Sequence, residues 1–291
     1  MIAYVFPGQA SQFVGMGQDL FTSSDLARMR YRQADEILGF EISKIMFEGS
    51  EEELRQTSVT QPAVFLHSVI CAEVKVQDSP GAVAGHSLGE FSALVVNGVL
   101  SFEDGLKLVK ARADSMQKAC DLQPSTMAAI VGLDDDIVER ICSDVEGIVV
   151  PANYNCPGQL VISGDIQSVD EACKGLIDAG ARRAITLSVG GAFHSPYMQP
   201  AQDELKKAID QIEFQDPSCP IYQNVDAKAH IEPNIIRDNL VKQLTSPVRW
   251  KATIEQMISD GVESFIEIGG TGKVLQGMIK RISRETNTAT L

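Results

Sequence analysis

The chain has 291 residues, of which 44% are hydrophobic and 22% are charged, a composition typical of a globular protein. Its formal net charge of −14 at pH 7 argues against nucleic acid as the main partner, because phosphate binding requires a basic surface. No apolar run reaches the roughly 18 residues that span a bilayer, and the first residues resemble no signal peptide, so we expect neither a membrane partner nor export.

The first third of the chain contains a strand, a helix, a second strand and a second helix. Residues 2–6 are predicted to form a short buried strand that ends at Pro7-Gly8. An apolar helix is predicted over Pro62–Val76. A compact strand at 81–84 is followed at once by a glycine-rich turn and a helix from Glu90 to Val96.

A different pattern starts at residue 123. The chain there reads as strand (127–131), helix (134–142), strand (148–152), strand (159–163), helix (166–178) and strand (183–189). This βαββαβ order is the ferredoxin-like pattern. We therefore predict a small subdomain over 123–191, inserted into a larger α/β domain made of 1–122 and 192–291. Four further elements are predicted after it: helix 201–212, helix 250–259, strand 264–268 and a last helix from Lys273.

A candidate nucleophile lies in the first glycine-rich turn. Gly85-His86-Ser87-Leu88-Gly89, between a predicted strand and helix, fits the nucleophile-elbow pattern GxSxG. Such a turn raises the serine hydroxyl out of the sheet and leaves the N–H of the next residue at a helix N-terminus, where it can donate to an oxyanion. A structural glycine-rich turn is the alternative.

A serine nucleophile needs a base, and the chain has four histidines. His67 lies in the apolar helix and is predicted to be a core residue, while His230 lies in a polar stretch and is predicted to be solvated. His86 adjoins the serine and is predicted to support the turn. His194, in a loop before Ser195-Pro196, is the candidate base, with a structural loop histidine as the alternative.

An arginine lies on an apolar helix face. Ser101 fits an N-cap with Asp104 at the third helical position, and the helix should run to about Cys120. Arg112 shares the inward stripe with Leu108 and Met116. A buried guanidinium needs a carboxylate or an anionic ligand; a structural ion pair or a side chain that extends to the surface is the alternative to a ligand.

Several separate segments together resemble one family, the malonyl-CoA:acyl carrier protein transacylases of fatty acid synthesis and the related acyltransferase domains of polyketide synthases. The resemblance runs from residue 2 to about 282. The matching segments are Phe6-Pro-Gly-Gln-Ala-Ser-Gln12, Gly85-His-Ser-Leu-Gly-Glu90, the helix of Arg112, Ala192-Phe-His-Ser195, Tyr222-Gln-Asn-Val225 and Gln243-Leu-Thr-Ser-Pro-Val-Arg-Trp250.

The resemblance implies an α/β-hydrolase-like domain with the ferredoxin-like insert, and transfer of malonyl from coenzyme A to acyl carrier protein. It implies that Ser87 is the acylated nucleophile, that His194 is its base and that Arg112 binds the malonyl carboxylate. The remaining implied roles are an oxyanion hole of the Gln9 and Leu88 N–H groups, orientation of His194 by the main-chain carbonyl of Gln243, and malonyl specificity at Phe193.

Two segments depart from the family pattern. Ala10 replaces the second glycine of Gly-Gln-Gly-Ser-Gln, which adds a methyl group beside the proposed oxyanion hole. Glu267-Ile-Gly-Gly-Thr-Gly-Lys273 is one residue longer than the family's turn, and it does not match a phosphate loop. We expect both departures to be tolerated.

We expect no metal, no cofactor and a monomer. The six cysteines form no CxxC pair, so we also expect reduced thiols and a cytoplasmic location.

An acidic carrier protein would require a local basic surface, and the candidates are Lys273, Lys280 and Arg281, or Arg182 and Arg183. Three alternatives stay open: a trans-acting acyltransferase of a polyketide synthase, a serine thioesterase or esterase, and an inactive carrier-binding module.

Overall fold

Two β-sheets organise the chain, and the computed structural model describes every residue from 1 to 291. The strands are β1 (Ile2–Phe6), β2 (Ala82–Gly85), β3 (Ser125–Val131), β4 (Val149–Cys156), β5 (Gln159–Asp165), β6 (Arg183–Thr186), β7 (Ile221–Tyr222), β8 (Ala229–His230), β9 (Ser264–Glu267) and β10 (Asn287–Thr290).

Helices surround both sheets, so the chain has a mixed α/β fold. They are α1 (Gln18–Ser23), α2 (Asp25–Leu38), α3 (Ile42–Glu48), α4 (Glu51–Arg55), α5 (Thr57–Lys75), α6 (Gly89–Val96), α7 (Phe102–Leu122), α8 (Asp135–Asp144), α9 (Ile166–Asp178), α10 (Gln199–Ile209), α11 (Pro233–Lys242), α12 (Trp250–Ser259) and α13 (Val274–Ile282). Two 3-10 helices, Pro196–Met198 and Gln243–Thr245, complete the set. No helix is long and apolar enough to cross a membrane.

The larger sheet has the strand order β10-β9-β1-β2-β7-β8, parallel except for the edge pair β7–β8. Side chains of β1 alternate between its faces, as the period of a strand requires. Tyr4 and Phe6 belong to the main core with α5 and α7, while Ala3 and Val5 pack with α12 and α13. Helices therefore cover both faces of the sheet, and its central strands β1 and β2 are buried.

The smaller sheet is antiparallel, with the order β4-β5-β3-β6, and α8 and α9 pack against one of its faces. The predicted order strand–helix–strand–strand–helix–strand is confirmed. Met127 and Val161 of this sheet belong to the main core of the larger part. The opposite face of the smaller sheet therefore packs against the larger part of the chain.

Most predicted elements lie where the sequence placed them, but several bounds were wrong by a few residues. The strand predicted at 148–152 is β4 (Val149–Cys156), and the helix predicted at 201–212 is α10 (Gln199–Ile209). Helices 166–178 and 250–259 match α9 and α12 residue for residue, and the Ser101 hydroxyl accepts from the Asp104 N–H at 3.0 Å. Helix α5 begins at Thr57 and continues through Pro62, so the proline does not mark its start. Strand β6 ends at Thr186 because its pairing with β3 ends there.

Candidate active site

Ser87 lies in a tight turn between β2 and α6, and its backbone φ of +52° is in the left-handed region. A Cβ at Gly85 would lie 1.9 Å from the carbonyl carbon of Gly89, and one at Gly89 would lie 2.0 Å from the carbonyl oxygen of Phe6. Both positions therefore require glycine. The turn stands at the carboxyl end of a parallel strand, where ligands of open α/β sheets bind.

His194 reaches Ser87 from a loop that follows β6. Its Nε2 lies 2.8 Å from Ser87 Oγ, and its Nδ1 lies 3.0 Å from the Gln243 carbonyl oxygen and 3.1 Å from that of Ser246. Because a carbonyl can only accept, Nδ1 carries the hydrogen and Nε2 presents a lone pair to the hydroxyl. No carboxylate takes the third position of a usual triad.

The loop that carries His194 is held in a strained conformation. His194 has a φ of +56°, which is unfavourable for a residue with a Cβ. Two buried hydroxyls fix the backbone before it: Ser163 Oγ donates to the Phe193 carbonyl at 2.7 Å, and Ser195 Oγ donates to the Ala192 carbonyl at 2.6 Å. The imidazole therefore has a fixed direction before any substrate binds.

His194 stays neutral over a wide pH range. Burial, and after it the positive charge of Arg112, lower its pKa to about 3, although the hydrogen bond to the Gln243 carbonyl opposes this shift. A neutral imidazole can accept a proton from the serine hydroxyl.

Arg112, in the middle of α7, is 1% exposed and points into the same site. Its Nη1 donates to Gln61 Oε1 at 2.7 Å, and its Nη2 donates to Ser87 Oγ at 2.9 Å and to Gln243 Oε1 at 3.2 Å. Its Nε–H has no partner, and no carboxylate lies within 4.0 Å of the guanidinium. The structural ion pair considered from the sequence is therefore absent, and the cation has donors left for an anion.

Two backbone N–H groups beside Ser87 donate no hydrogen bond within the protein: those of Gln9, after β1, and Leu88, at the start of α6. Ala10, next to Gln9, has a φ of +75°, a conformation that glycine adopts without strain. The substitution noted in the sequence thus falls on a left-handed position. Free N–H groups at a helix N-terminus are suited to stabilise an oxyanion.

A buried polar network below the turn was not identified from the sequence. Glu90 accepts from the main-chain N–H of Asn224 and from Gln243 Nε2, and Asn224 Oδ1 accepts from the Ser87 N–H at 2.7 Å. Burial raises the pKa of Glu90 above the usual range of a carboxyl group, and its hydrogen bonds to Asn224 and Gln243 and the charge of Arg112 oppose that shift. The only sequence signal was that Glu90 and Asn224 fall in segments of the family resemblance.

The side chain of Gln243 does not contact His194. Only its main-chain carbonyl does, and its amide points instead to Glu90, to the Ser87 carbonyl and to Arg112. A carboxylate at position 243 would therefore face Glu90 and not the imidazole.

A cavity of about 150 Å³ opens above these groups, between the two sheets. Polar residues line its floor, and apolar side chains from the smaller sheet and its following loop line the facing wall. The lining residues are Gln9, Ala10, His86, Ser87, Leu88, Arg112, Met127, Asn153, Leu187, Val189, Phe193 and His194. The loop after β6 thus forms a wall of the site, although it was predicted to be a strand.

The side chains of the other three histidines form no hydrogen bond with Ser87 or His194. His67 is buried, and its Nδ1 accepts from the Gly270 N–H at 2.9 Å. His86 points away from Ser87, with its Nε2 2.9 Å from Asn155 Oδ1 on β4. The prediction for His230 was wrong: it is not solvated, because its Nε2 lies 2.9 Å from Asp226 Oδ2 and its side chain is only 13% exposed.

The five basic residues considered for docking differ in their contacts. Lys280 donates to the carbonyls of Arg284 and Thr286, and Arg281 donates to Gln159 and to the carbonyl of Pro157. The other three, Lys273, Arg182 and Arg183, are exposed and form no ion pair. No group of three or more His, Cys, Asp or Glu side chains is close enough to hold a metal ion.

A serine hydroxyl paired with a neutral histidine, beside two unused N–H donors and a buried cation, has the groups required for acyl transfer through an acyl-serine. The fold and the site together are typical of an acyl-transfer enzyme.

The comparisons with known proteins agree with this class. The acyl transferase domain family matches residues 3–291, so the chain belongs to that family and is an acyltransferase. The malonyl CoA-acyl carrier protein transacylase of Bacillus subtilis (strain 168) is 43% identical over 99% of this chain and 92% of its own length.

Solved structures give the same result. The malonyl CoA-acyl carrier protein transacylase of Coxiella burnetii is 40% identical, with a TM-score of 0.95 over 100% of this chain and 93% of that chain. A malonyl-transacylase in complex with a type II polyketide synthase acyl-carrier protein is also 40% identical, with a TM-score of 0.94 over 100% of this chain and 95% of that chain.

Proposed function

We propose that this protein transfers a malonyl group from malonyl-CoA to the phosphopantetheine thiol of an acyl carrier protein, and so supplies fatty acid synthesis. The observation that carries the proposal is the guanidinium of Arg112. It is buried, lacks a contacting carboxylate, and lies 2.9 Å from the nucleophile. A donor that carries a free carboxylate next to its thioester would satisfy this cation, as malonyl does and acetyl does not.

In the first half-reaction, Arg112 binds the malonyl carboxylate and the thioester carbonyl lies against Ser87 Oγ. His194 Nε2 takes the hydroxyl proton while Oγ bonds to the carbonyl carbon, and the N–H groups of Gln9 and Leu88 stabilise the oxyanion. The C–S bond then breaks, the proton passes from His194 to the coenzyme A sulfur, and a malonyl ester of Ser87 is left.

The second half-reaction reverses these steps with a different thiol. His194 takes the proton of the phosphopantetheine thiol, sulfur bonds to the ester carbonyl carbon, and the C–Oγ bond breaks. The proton returns to Ser87 Oγ. The order of events is ping-pong, because the first product leaves before the acceptor reacts. The mechanism draws on no metal and no cofactor.

Two further residues complete the proposed site. The main-chain carbonyl of Gln243 keeps the Nδ1–H of His194 in place, which fixes the tautomer without a carboxylate. Phe193 is 6% exposed and lines the cavity beside the base. A branch on the acyl group would have to fit beside this ring, so we assign Phe193 to the preference for malonyl over methylmalonyl.

We describe the architecture as an α/β-hydrolase-like domain of residues 1–122 and 192–291 with a ferredoxin-like insert at 123–191. The antiparallel order β4-β5-β3-β6 supports the second part. We propose a monomer in the cytoplasm, which agrees with six free cysteines. For the docking of an acidic carrier protein, Arg182, Arg183 and Lys273 are the better candidates, because Lys280 and Arg281 already bind main-chain carbonyls.

A second candidate function is that of a trans-acting acyltransferase for a polyketide synthase. The similarity to a transacylase in complex with a polyketide synthase carrier protein supports it, and the chemistry would be the same. A thioesterase or esterase with water as acceptor is less well supported. Such an enzyme would not need the buried cation of Arg112, and it would carry a carboxylate on His194.

The test is intact mass spectrometry of the protein after mixing with malonyl-CoA, and again after addition of carrier protein that bears phosphopantetheine. We expect a malonyl adduct that is absent from Ser87→Ala and then moves to the carrier protein. Free malonate without a malonylated carrier protein would identify a hydrolase. Fatty acid and polyketide carrier proteins, supplied in parallel, separate the first two functions by their relative rates.

A further inference from the structure

A carboxyl group that no step of the proposed mechanism uses lies beneath the nucleophile turn. Glu90, in the first turn of α6, is fully buried. One of its oxygens accepts from the main-chain N–H of Asn224, and the other accepts from Gln243 Nε2 at 2.7 Å. Each oxygen faces a donor and neither faces an acceptor, so this arrangement is that of the ionised carboxylate, which accepts on both sides.

Both neighbours lead directly to the reacting groups. Asn224 binds the turn on two sides, since its Oδ1 accepts from the Ser87 N–H and its Nδ2 donates to the Gly85 carbonyl, each at 2.7 Å. Gln243 Nε2 also donates to the Ser87 carbonyl at 3.0 Å. At its other end, Gln243 Oε1 accepts from Arg112 Nη2 at 3.2 Å.

We propose that Glu90 is a positioning residue, which fixes the direction of the Gln243 amide and through it holds Arg112 ready for a substrate carboxylate. The inference rests on the proposed function. An amide has one donor end and one acceptor end. Because Glu90 only accepts, the NH₂ end of Gln243 must face Glu90, and the oxygen must then face Arg112.

The substitution Glu90→Gln tests this direction without changing the shape of the side chain. The main-chain N–H of Asn224 cannot turn, so the new amide must present its oxygen there and its NH₂ group to Gln243. The Gln243 amide then has to rotate by half a turn to accept. Its NH₂ group would face the Arg112 guanidinium, and two donors would oppose each other.

The chain offers a matched control. Glu267, on β9, is equally buried and accepts from the main-chain N–H of Gln276, but it forms no hydrogen bond to Asn224 or Gln243. Glu267→Gln therefore replaces a buried carboxylate elsewhere in the same protein and leaves the hydrogen bonds of Glu90 unchanged.

The experiment measures the rate of Ser87 acylation by malonyl-CoA and by acetyl-CoA, with rapid quenching and intact mass, for the wild type and both variants. We expect the malonyl-to-acetyl rate ratio to fall about tenfold or more in Glu90→Gln, because the charged Arg112 loses its hydrogen bond to Gln243 Oε1. Glu267→Gln should keep the wild-type ratio. A general loss of packing would lower both rates together and leave the ratio unchanged.

The outcomes separate the two claims. A wild-type protein that is not malonylated refutes the proposed function. A malonylated wild type together with an unchanged ratio in Glu90→Gln refutes the positioning role.

If Glu90→Gln does not fold, the double variant Glu90→Gln/Gln243→Glu tests the positioning role instead. In it the new amide at position 90 donates to the new carboxylate at position 243, so one donor again faces one acceptor. We expect the double variant to fold but to keep a low ratio, because the new carboxylate would pair with Arg112 and compete with malonyl. A wild-type ratio in the double variant, or failure of the double variant to fold, would contradict the argument.

Discussion

The clearest perturbation is Arg112→Ala, which removes the cation while leaving Ser87 and His194 in place. Two hydrogen bonds from a buried guanidinium to a carboxylate contribute about 1.5–3 kcal/mol each. Together these give about 3–6 kcal/mol, which corresponds to a fall of about 10²- to 10⁴-fold in kcat/KM for malonyl-CoA. Acetyl-CoA has no carboxylate, so its acylation should change far less. The preference between the two donors should therefore largely disappear.

The assay follows the acyl-enzyme by intact mass with malonyl-, acetyl- and methylmalonyl-CoA in parallel, after a thermal unfolding scan of each variant. Arg112→Lys is the matched control, since it keeps the charge but loses the planar fork that matches a carboxylate. We expect it to fall between the wild type and Arg112→Ala. If Arg112→Ala folds and keeps its preference for malonyl, the guanidinium does not bind the substrate carboxylate.

Three further predictions follow from the geometry. First, acylation by malonyl-CoA should show no acid limb near pH 6.5, because burial and Arg112 lower the pKa of His194 to about 3. Below about pH 6.5 the His194 imidazole takes up a proton in the unfolded chain but not in the folded one, so the free energy of unfolding should fall between pH 6.5 and pH 3. An acylation rate that halves near pH 6.5 would contradict the lowered pKa. Second, Ala10→Gly should raise the free energy of unfolding by up to about 1 kcal/mol by removing a left-handed alanine, and an unchanged or lower value in a denaturant titration would refute the strain. Third, Arg182→Glu/Arg183→Glu should raise the KM for carrier protein and make it less sensitive to salt, because both residues are exposed cations; an unaltered KM removes them as a docking surface.

Local sequence patterns predicted much of the fold. The bounds of β1, the capped start of α7 and the bounds of α9 and α12 depend on residues that are close together in the chain, and all four match the structure. The same patterns misjudged the end of β6. A strand continues only as long as its neighbour pairs with it, and that neighbour lies far away in the sequence.

His230 shows the same limit at a single residue. Its polar surroundings in the sequence suggested exposure to solvent. In the structure, Asp226, four residues earlier, and Asn239, on α11, both lie within hydrogen-bond distance of its ring. A polar stretch in the sequence therefore does not distinguish a solvated segment from a buried polar network.

Spacing along the chain was enough to predict the candidate chemistry: a serine between two glycines at a strand–helix turn, a histidine in a loop, and an arginine on an apolar helix stripe. Each of these depends on residues a few positions apart, which fix local geometry. Tertiary packing brings Ser87 and His194, 107 residues apart in the chain, to 2.8 Å from each other.

It also decided that Gln243 turns its side chain to Glu90 and Arg112, and only its carbonyl to His194. The physical reason is that a buried hydrogen bond requires a donor–acceptor distance set to within a few tenths of an ångström. Here the donor and the acceptor belong to elements that meet only when the chain is folded.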